Sequence, residues 1–128
     1  MSETIIAVTS EGPLLEDMVD PRFGRAAGFV VVNLTSGQNS YIDNGNSQSM
    51  AQGAGIQAAE NVARAGASVV LSGFVGPKAF QALSAAGIAV IQDVENMTVA
   101  QAVEKYRQGV FAVAGAPNAP AGGNKPAS

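Results

Sequence analysis

The sequence predicts an α/β protein in which three main helices pack on the faces of a mixed five-stranded sheet. Three runs rich in β-branched residues come before any helical pattern, and beyond Gly53 helical patterns alternate with short apolar runs. An antiparallel meander followed by βα units produces a mixed sheet, with right-handed crossovers. Because 47% of the residues are hydrophobic and only 5% are aromatic, we expect an aliphatic core.

The first half of the chain contains the predicted meander. Residues 4–9 are apolar and β-branched, which is typical of a strand. Residues 27–34 form the second predicted strand, and residues 35–38 contain Gly37 in a short hairpin turn. Residues 40–43 alternate polar and apolar, which predicts an outer strand with one face in water.

The second half alternates helices with buried strands. Gly66, Gly87 and Gly109 are placed to end helices, and Thr98 with Gln101 matches a capping box at a helix start. The predicted helices cover residues 54–65, 79–86 and 98–109, and the predicted strands cover residues 67–71 and 88–91.

The length of 128 residues suits one domain, which we place at residues 1–113. Residues 114–128 consist mainly of Ala, Pro, Gly and Asn, which predicts a disordered tail. The net charge of −3 argues against a nucleic acid or an anionic membrane as partner. No apolar run reaches the length of a membrane span, and the N-terminus lacks a secretory signal. We therefore expect a cytoplasmic monomer.

The chain contains no Cys and no His. It therefore has no thiolate for zinc or an iron–sulfur cluster, and it lacks both the commonest general base and the commonest metal ligand. Ser10 and Ser72 have no evident base, which argues against a serine hydrolase. No pair of carboxylates is predicted at the tips of neighbouring strands, as two-metal phosphoryl chemistry requires. The residues therefore argue against a serine hydrolase and against a two-metal phosphoryl-transfer enzyme.

The turn over residues 72–78 predicts an anion site. It joins a buried strand to a helix, and Gly73 and Gly76 allow tight backbone geometry there. Pro77 suits the first helical position, and Lys78 places a cation beside the free N–H groups of the helix start.

Other loops are expected to reach the same sheet edge. If the first and fourth strands are parallel neighbours, the loop carrying Arg22 and Arg25 lies close to Lys78. These are three of only seven Lys and Arg residues, which favours a local anion site. The alternative is that Arg22 pairs with Asp20 and that Lys78 is merely solvated. The long connection over residues 44–53 leads to a second helix start and is often functional at this length.

Two further patterns admit competing interpretations. Gly53-Ala-Gly55-Ile-Gln-Ala58 matches a G-x-G-x-x-A dinucleotide fingerprint, but no strand precedes it and no acid follows at the usual distance. We favour close packing at the helix start over nucleotide binding. Met50 offers a soft sulfur for copper, but Met residues more often fill gaps where loops meet a core, which is the interpretation we favour.

Three blocks carry a resemblance to a known family: Asp20-Pro-Arg-Phe-Gly-Arg-Ala26, Gly53-Ala-Gly55-Ile56 and Ser72-Gly-Phe-Val-Gly-Pro-Lys-Ala-Phe80. Over residues 4–112 the chain resembles the dinitrogenase iron–molybdenum cofactor biosynthesis family. The resemblance implies a ribonuclease H-like fold with a mixed five-stranded sheet. It also implies a protein that is not an enzyme and that binds or carries an anionic metal–sulfur cluster. That cluster is either a molybdenum–copper sulfide cluster, held noncovalently, or a precursor similar to the nitrogenase cofactor. Many relatives have a His where this chain has residues 49–52, so imidazole ligation is excluded at that position.

In the cluster hypothesis, cationic side chains supply charge, backbone N–H groups donate to sulfides, and apolar side chains exclude water. The candidate residues are Arg22, Phe23, Arg25, Met50, Gly53, Gly55, Ser72, Gly73, Phe74, Val75, Gly76 and Lys78. Met50 is the one candidate for a direct metal ligand. The alternative function is a regulatory or scaffold domain that binds a protein partner through the same loops.

Overall fold

Five strands form one sheet in the order β3-β2-β1-β4-β5, and three helices accompany it in the computed structural model, which describes residues 4–45, 50 and 52–118. The strands are β1 (Ile5–Ser10), β2 (Gly28–Asn33), β3 (Asn39–Asp43), β4 (Val69–Leu71) and β5 (Ala89–Ile91). The helices are α1 (Ala54–Arg64), α2 (Pro77–Ala85) and α3 (Val99–Arg107). The predicted fold class is confirmed, and the strand order is consistent with the ribonuclease H-like fold that the resemblance implied.

The sheet is mixed. β1 pairs antiparallel with β2, and β2 pairs antiparallel with β3, as the meander predicted. On its other edge β1 is parallel to β4, and β4 is parallel to β5. Because β1, β4 and β5 all point the same way, the loops that follow them emerge at one edge of the sheet.

The sheet separates two hydrophobic clusters. Ala7, Val31 and Val70 face α1 and α2, whereas Ile6 and Val8 face α3. Successive side chains of a strand point to opposite faces, so a strand buried on both faces is apolar throughout. The run of apolar residues in β1 therefore reflects its central position between two layers of helices.

The start of α2 lies two residues before the helical pattern that the sequence shows from Ala79. The helix starts at Pro77, with Gly76 as its N-cap, and the prediction that Pro77 takes the first helical position is confirmed. Pro at the first helical position has no N–H that needs a partner, so the ring stabilises the start. The predicted capping box of α3 is confirmed. The Gln101 N–H donates to Thr98 Oγ1 at 3.1 Å, and the Thr98 N–H donates to Gln101 Oε1 at 2.9 Å.

Residues 114–118, which the sequence analysis places at the start of a predicted disordered tail, make defined hydrogen bonds in the structure. The Ala114 N–H donates to Val90 O at 2.7 Å, and Gln92 Nε2 donates to Ala116 O at 2.9 Å. The composition offers nothing apolar to bury, but backbone and amide groups at the β5 edge still supply partners.

Residues 119–128 and residues 46–49 and 51 of the long connection lie outside the described residues. None of the described helices is long and apolar enough to cross a membrane.

Candidate anion site

Two of the predicted loops meet at the sheet edge where β1 and β4 end. The Phe74 N–H donates to Pro21 O at 2.6 Å, and the Phe23 N–H donates to Phe74 O at 3.1 Å. These bonds form a short parallel bridge between Arg22 and Phe74. The backbone of the arginine loop, defined here as residues 20–26, is therefore fixed directly to the turn that begins α2.

Glycines allow the loops to approach this closely. A Cβ on Gly73 would lie 2.6 Å from Pro21 O, and a Cβ on Gly24 would lie 3.0 Å from the Gly55 nitrogen. A Cβ on Gly55 would lie 2.9 Å from the Cβ of Ala79. Because Gly55 is in the first turn of α1 and Ala79 in the first turn of α2, the two helices begin side by side.

The starts of α1 and α2 differ from the start of α3. Their N-caps are Gly53, in the left-handed region at φ 77°, and Gly76, in an extended conformation. Neither N-cap provides a side-chain cap, and neither first turn contains an acid. The first N–H groups of a helix and its dipole favour a negative charge. Two adjacent starts whose N-caps provide no side-chain cap and whose first turns contain no acid are therefore suited to an anionic ligand.

The three candidate cations lie in different environments. Arg25 is half-buried, and its Nη1 donates to Met50 O at 2.7 Å, which ties the arginine loop to the segment before α1. Lys78 is exposed on the first turn of α2. Arg22 is exposed, but its Nε lies 3.3 Å from Oδ1 of the buried Asp20. The pairing that the sequence left as an alternative is confirmed for Arg22, so its charge is largely offset.

Several candidate residues lie inside the protein. Phe23 is 1% exposed and packs against Phe29 with ring centroids 5.5 Å apart. Val75 is fully buried, as is Ser72, whose Oγ accepts from Thr9 Oγ1 at 3.2 Å. These side chains support the walls of the site from within. A role for them in contact with a ligand stays a prediction that their burial does not favour.

The backbone donors of the turn are also partly engaged. The Phe74 N–H is bonded to Pro21 O, and the Val75 N–H donates to Asn118 Oδ1 at 2.9 Å. Phe74 itself is half-buried, and so is Met50, whose Cε lies 3.5 Å from the position of a Cβ on Gly53. The donor set expected over residues 73–76 is thus smaller than the sequence implied. Among the described residues, no group of three or more Asp, Glu, His and Cys is placed to hold a metal ion.

Asn44 is a structural residue of the site that the sequence did not reveal. It is fully buried, and its Nδ2 donates to Ala26 O at 3.0 Å and to Gly24 O at 3.3 Å. Its Oδ1 accepts from Asn61 Nδ2 at 2.8 Å. Asn44 thus links the arginine loop to α1. Its sequence context, Asp-Asn-Gly, indicates only a turn.

The comparisons with known proteins agree with this architecture. The apo form of the orange protein from Desulfovibrio gigas is 56% identical, with a TM-score of 0.89, over 91% of this chain and 98% of that chain. The Thermotoga protein TM1290, described as a DUF35 family member, is 29% identical, with a TM-score of 0.75, over 86% of this chain and 92% of that chain. No curated protein matches the chain.

The motifs quoted from the sequence resemble the orange protein of sulfate-reducing bacteria in particular, and the structural comparison confirms that resemblance. The sequence profile described as dinitrogenase iron-molybdenum cofactor matches residues 3–109, which is most of the chain. That match includes every candidate residue of the anion site. The chain belongs to the dinitrogenase iron–molybdenum cofactor family.

Proposed function

We propose that this protein binds and carries an anionic metal–sulfide cluster, held noncovalently between the starts of α1 and α2. The observation that carries the proposal is the contrast in helix capping. α3 has a complete capping box, whereas α1 and α2 begin side by side without a side-chain cap from their own N-caps, and none of the three first turns contains an acid. An anion placed there would accept hydrogen bonds from backbone N–H groups and be stabilised by two helix dipoles.

The local cations support the same ligand class. Arg25 and Lys78 belong to the loops that frame the two helix starts, whereas Arg22 is paired with Asp20. The protein as a whole carries a net charge of −3. When the cations of an acidic protein are concentrated at one small site, that site is suited to binding a compact anion. It is less suited to an extended polyanion such as nucleic acid.

The mode of binding follows from the residue types present. The chain has no Cys and no His, so it offers neither thiolate nor imidazole to a metal. Sulfide ligands that the cluster brings with it would complete the metal coordination. The protein would then bind the sulfides through N–H donors and charge. Met50, whose Cε lies close to Gly53 at the approach to α1, is the thioether that we assign as a contact for copper.

The resemblance to the orange protein indicates which cluster to test first. It implies a mixed molybdenum–copper sulfide cluster, and the family description refers to the iron–molybdenum cofactor of dinitrogenase. We infer that the cluster is cargo and that the protein does not catalyse a reaction. The burial of Ser72 beside Thr9, with no general base contacting it, supports a structural role for that hydroxyl.

The test is to load apoprotein with tetrathiomolybdate and copper(I), desalt it, and measure retained metal and the visible spectrum. Wild type is expected to stay coloured and to retain both metals. The double variant Arg25→Ala/Lys78→Ala is expected to retain about tenfold less, since partly exposed ion pairs contribute roughly 0.2–1 kcal/mol each and about 1.4 kcal/mol corresponds to a factor of ten.

The matched control is Arg64→Ala/Arg107→Ala, which removes the same charge from the last turns of α1 and α3. It is expected to load like wild type. Colourless wild-type protein would contradict the proposed function. Equal losses in the two double variants would contradict the proposed location.

A further inference from the structure

The C-terminal strap, defined here as residues 114–118, ends on the turn before α2. The carboxamide of Asn118 accepts the Val75 N–H at 2.9 Å and donates from Nδ2 to Gly73 O at 2.8 Å. These are two backbone groups of one short segment, residues 73–75, whose central residue Phe74 forms the bridge to Arg22. A side-chain amide thus pairs with this segment in the way that a neighbouring strand does.

The central residue of the same segment is bonded as well. The N–H and the carbonyl oxygen of Phe74 both bond to the arginine loop, at Pro21 and Phe23. Residues 73–75 are therefore held by two different partners, the arginine loop at Phe74 and Asn118 at Gly73 and Val75.

A carboxylate lies beside Asn118, which indicates that the Asn118 side chain does not occupy the position of an anionic ligand. Its Nδ2 also lies 3.2 Å from Oδ1 of Asp93, whose N–H donates to Gly73 O at 3.0 Å. Asp93 adopts a left-handed conformation at φ 64°, which is uncommon outside glycine. An anion that replaced Asn118 would lie next to a carboxylate, and like charges at that distance repel.

We propose that Asn118 is a positioning residue for the cluster site. By fixing residues 73–75 in place, its carboxamide sets the position of Gly76, the N-cap of α2, and so holds the α2 start beside Gly55. The strap organises the site before the ligand arrives, which reduces the ordering cost of binding. This inference rests on the proposed function, because the turn it organises is one wall of the proposed cluster site.

The test compares two truncated proteins that differ by one residue, one ending at Asn118 and one ending at Pro117, together with Asn118→Ala in the full chain. Each is loaded with tetrathiomolybdate and copper(I), and the retained metal is measured. In parallel, amide hydrogen exchange is followed at Val75 and, as a reference, at Val70 in β4. Thermal unfolding shows that each variant is folded.

The protein ending at Asn118 is expected to load like wild type. The protein ending at Pro117 and Asn118→Ala are expected to retain cluster about tenfold less, equivalent to about 1.4 kcal/mol. Their exchange should speed up at Val75 but not at Val70. A merely structural role would instead speed exchange throughout the sheet. Gln92→Ala, which loses only the bond to Ala116, is the control and should load normally.

Unchanged or increased cluster loading without Asn118 would overturn the inference. An increase would show that the Asn118 side chain hinders access of the cluster to the site. A variant too unstable to assay shows a global rather than a local role, which also overturns it. If wild type itself does not load, the proposed function fails. The exchange at Val75 then decides separately whether Asn118 holds the turn.

Discussion

Gly73 illustrates at the residue scale how the site depends on missing side chains. The backbone of the arginine loop passes so close that a Cβ on Gly73 would lie 2.6 Å from Pro21 O. Backbone atoms cannot rotate away as a flexible side chain can, so the two loops must separate to accept even one methyl group. The glycine is required by the approach of the two loops at this sheet edge.

Gly73→Ala is therefore expected to lower the free energy of unfolding by about 1–3 kcal/mol, as overpacking does. Chemical denaturation measures the change. Gly115→Ala is the matched control, because no heavy atom lies within 4 Å of a Cβ there. Equal stabilities of the two variants would show that the loops are not held together as described.

The structural roles of Asn44 and Asn118 cannot be predicted from the sequence one residue at a time. Each is a turn-forming residue in a polar segment, and nothing local distinguishes it from its neighbours. Their roles come from partners distant in sequence: Asn44 binds carbonyls of residues 24 and 26, and Asn118 binds residues 73 and 75. Such polar contacts depend on how elements pack, so only the folded structure reveals them.

At the scale of secondary structure, a residue that would stabilise the start of α2 is expected to weaken ligand binding there. Serine is a preferred N-cap residue, and its hydroxyl accepts from the N–H groups of the first turn. Gly76 has φ −72° and ψ 168°, an extended conformation that serine adopts without strain. A serine there would occupy donors that we assign to the cluster.

Gly76→Ser is expected to raise the free energy of unfolding by a few tenths of a kcal/mol, up to about 1, while weakening cluster retention severalfold. Denaturation and metal analysis of the loaded, desalted protein measure the two effects. Thr98→Ala at α3 is the converse control: it should cost about 1 kcal/mol and leave loading unchanged. Retention equal to that of wild type in Gly76→Ser would remove the α2 start from the site.

Tyr41 on β3 gives an element-scale prediction about pH. Burial raises the pKa of its phenol above the ordinary 10.0, and the carboxylates of Asp43 and Asp17 raise it further. The folded protein then holds the proton more tightly than the unfolded chain does. Stability is consequently retained below about pH 10 and lost as the pH rises through the folded-state pKa.

Tyr41→Phe is expected to reduce the loss of stability in this alkaline range, because it removes the ionising group. The measurement is denaturant unfolding at a series of pH values around and above pH 10, with Tyr106→Phe on α3 as the control. An alkaline decline identical to that of wild type would mean that Tyr41 does not contribute to it.

At the scale of the whole molecule, the sequence predicts the architecture well because the architecture rests on local periodicity. The β-branched runs, the helical spacing and the capping box each agree with the element that forms there. The parallel pairing of β1 with β4 then brings the arginine loop and the α2 turn to one edge, as expected. Local pattern and global fold are consistent with each other, as is usual in natural proteins.

The sequence does not show how deeply the side chains of the site are buried. It treats Phe23 and Val75 as side chains that shield a ligand, a role that stays a prediction, and in the structure both side chains lie in the core. A hydrophobic residue in a glycine-rich turn looks the same in a sequence whether it faces a ligand or the interior. The docked strap was missed for a related reason, since its hydrogen bonds require the edge of β5 and the α2 turn to be in place first.

The adjacent starts of α1 and α2 are the central feature of the proposed site, and mapping backbone amides by NMR tests it most directly. ¹⁵N-labelled apoprotein is titrated with tetrathiomolybdate and copper(I), and the amide shifts are compared before and after loading. The largest changes are expected at Gly55, Ile56, Gly76, Lys78 and Ala79. Changes confined to other surfaces, such as the acidic loop between β1 and Asp20, with these five amides unmoved, would contradict the proposed site.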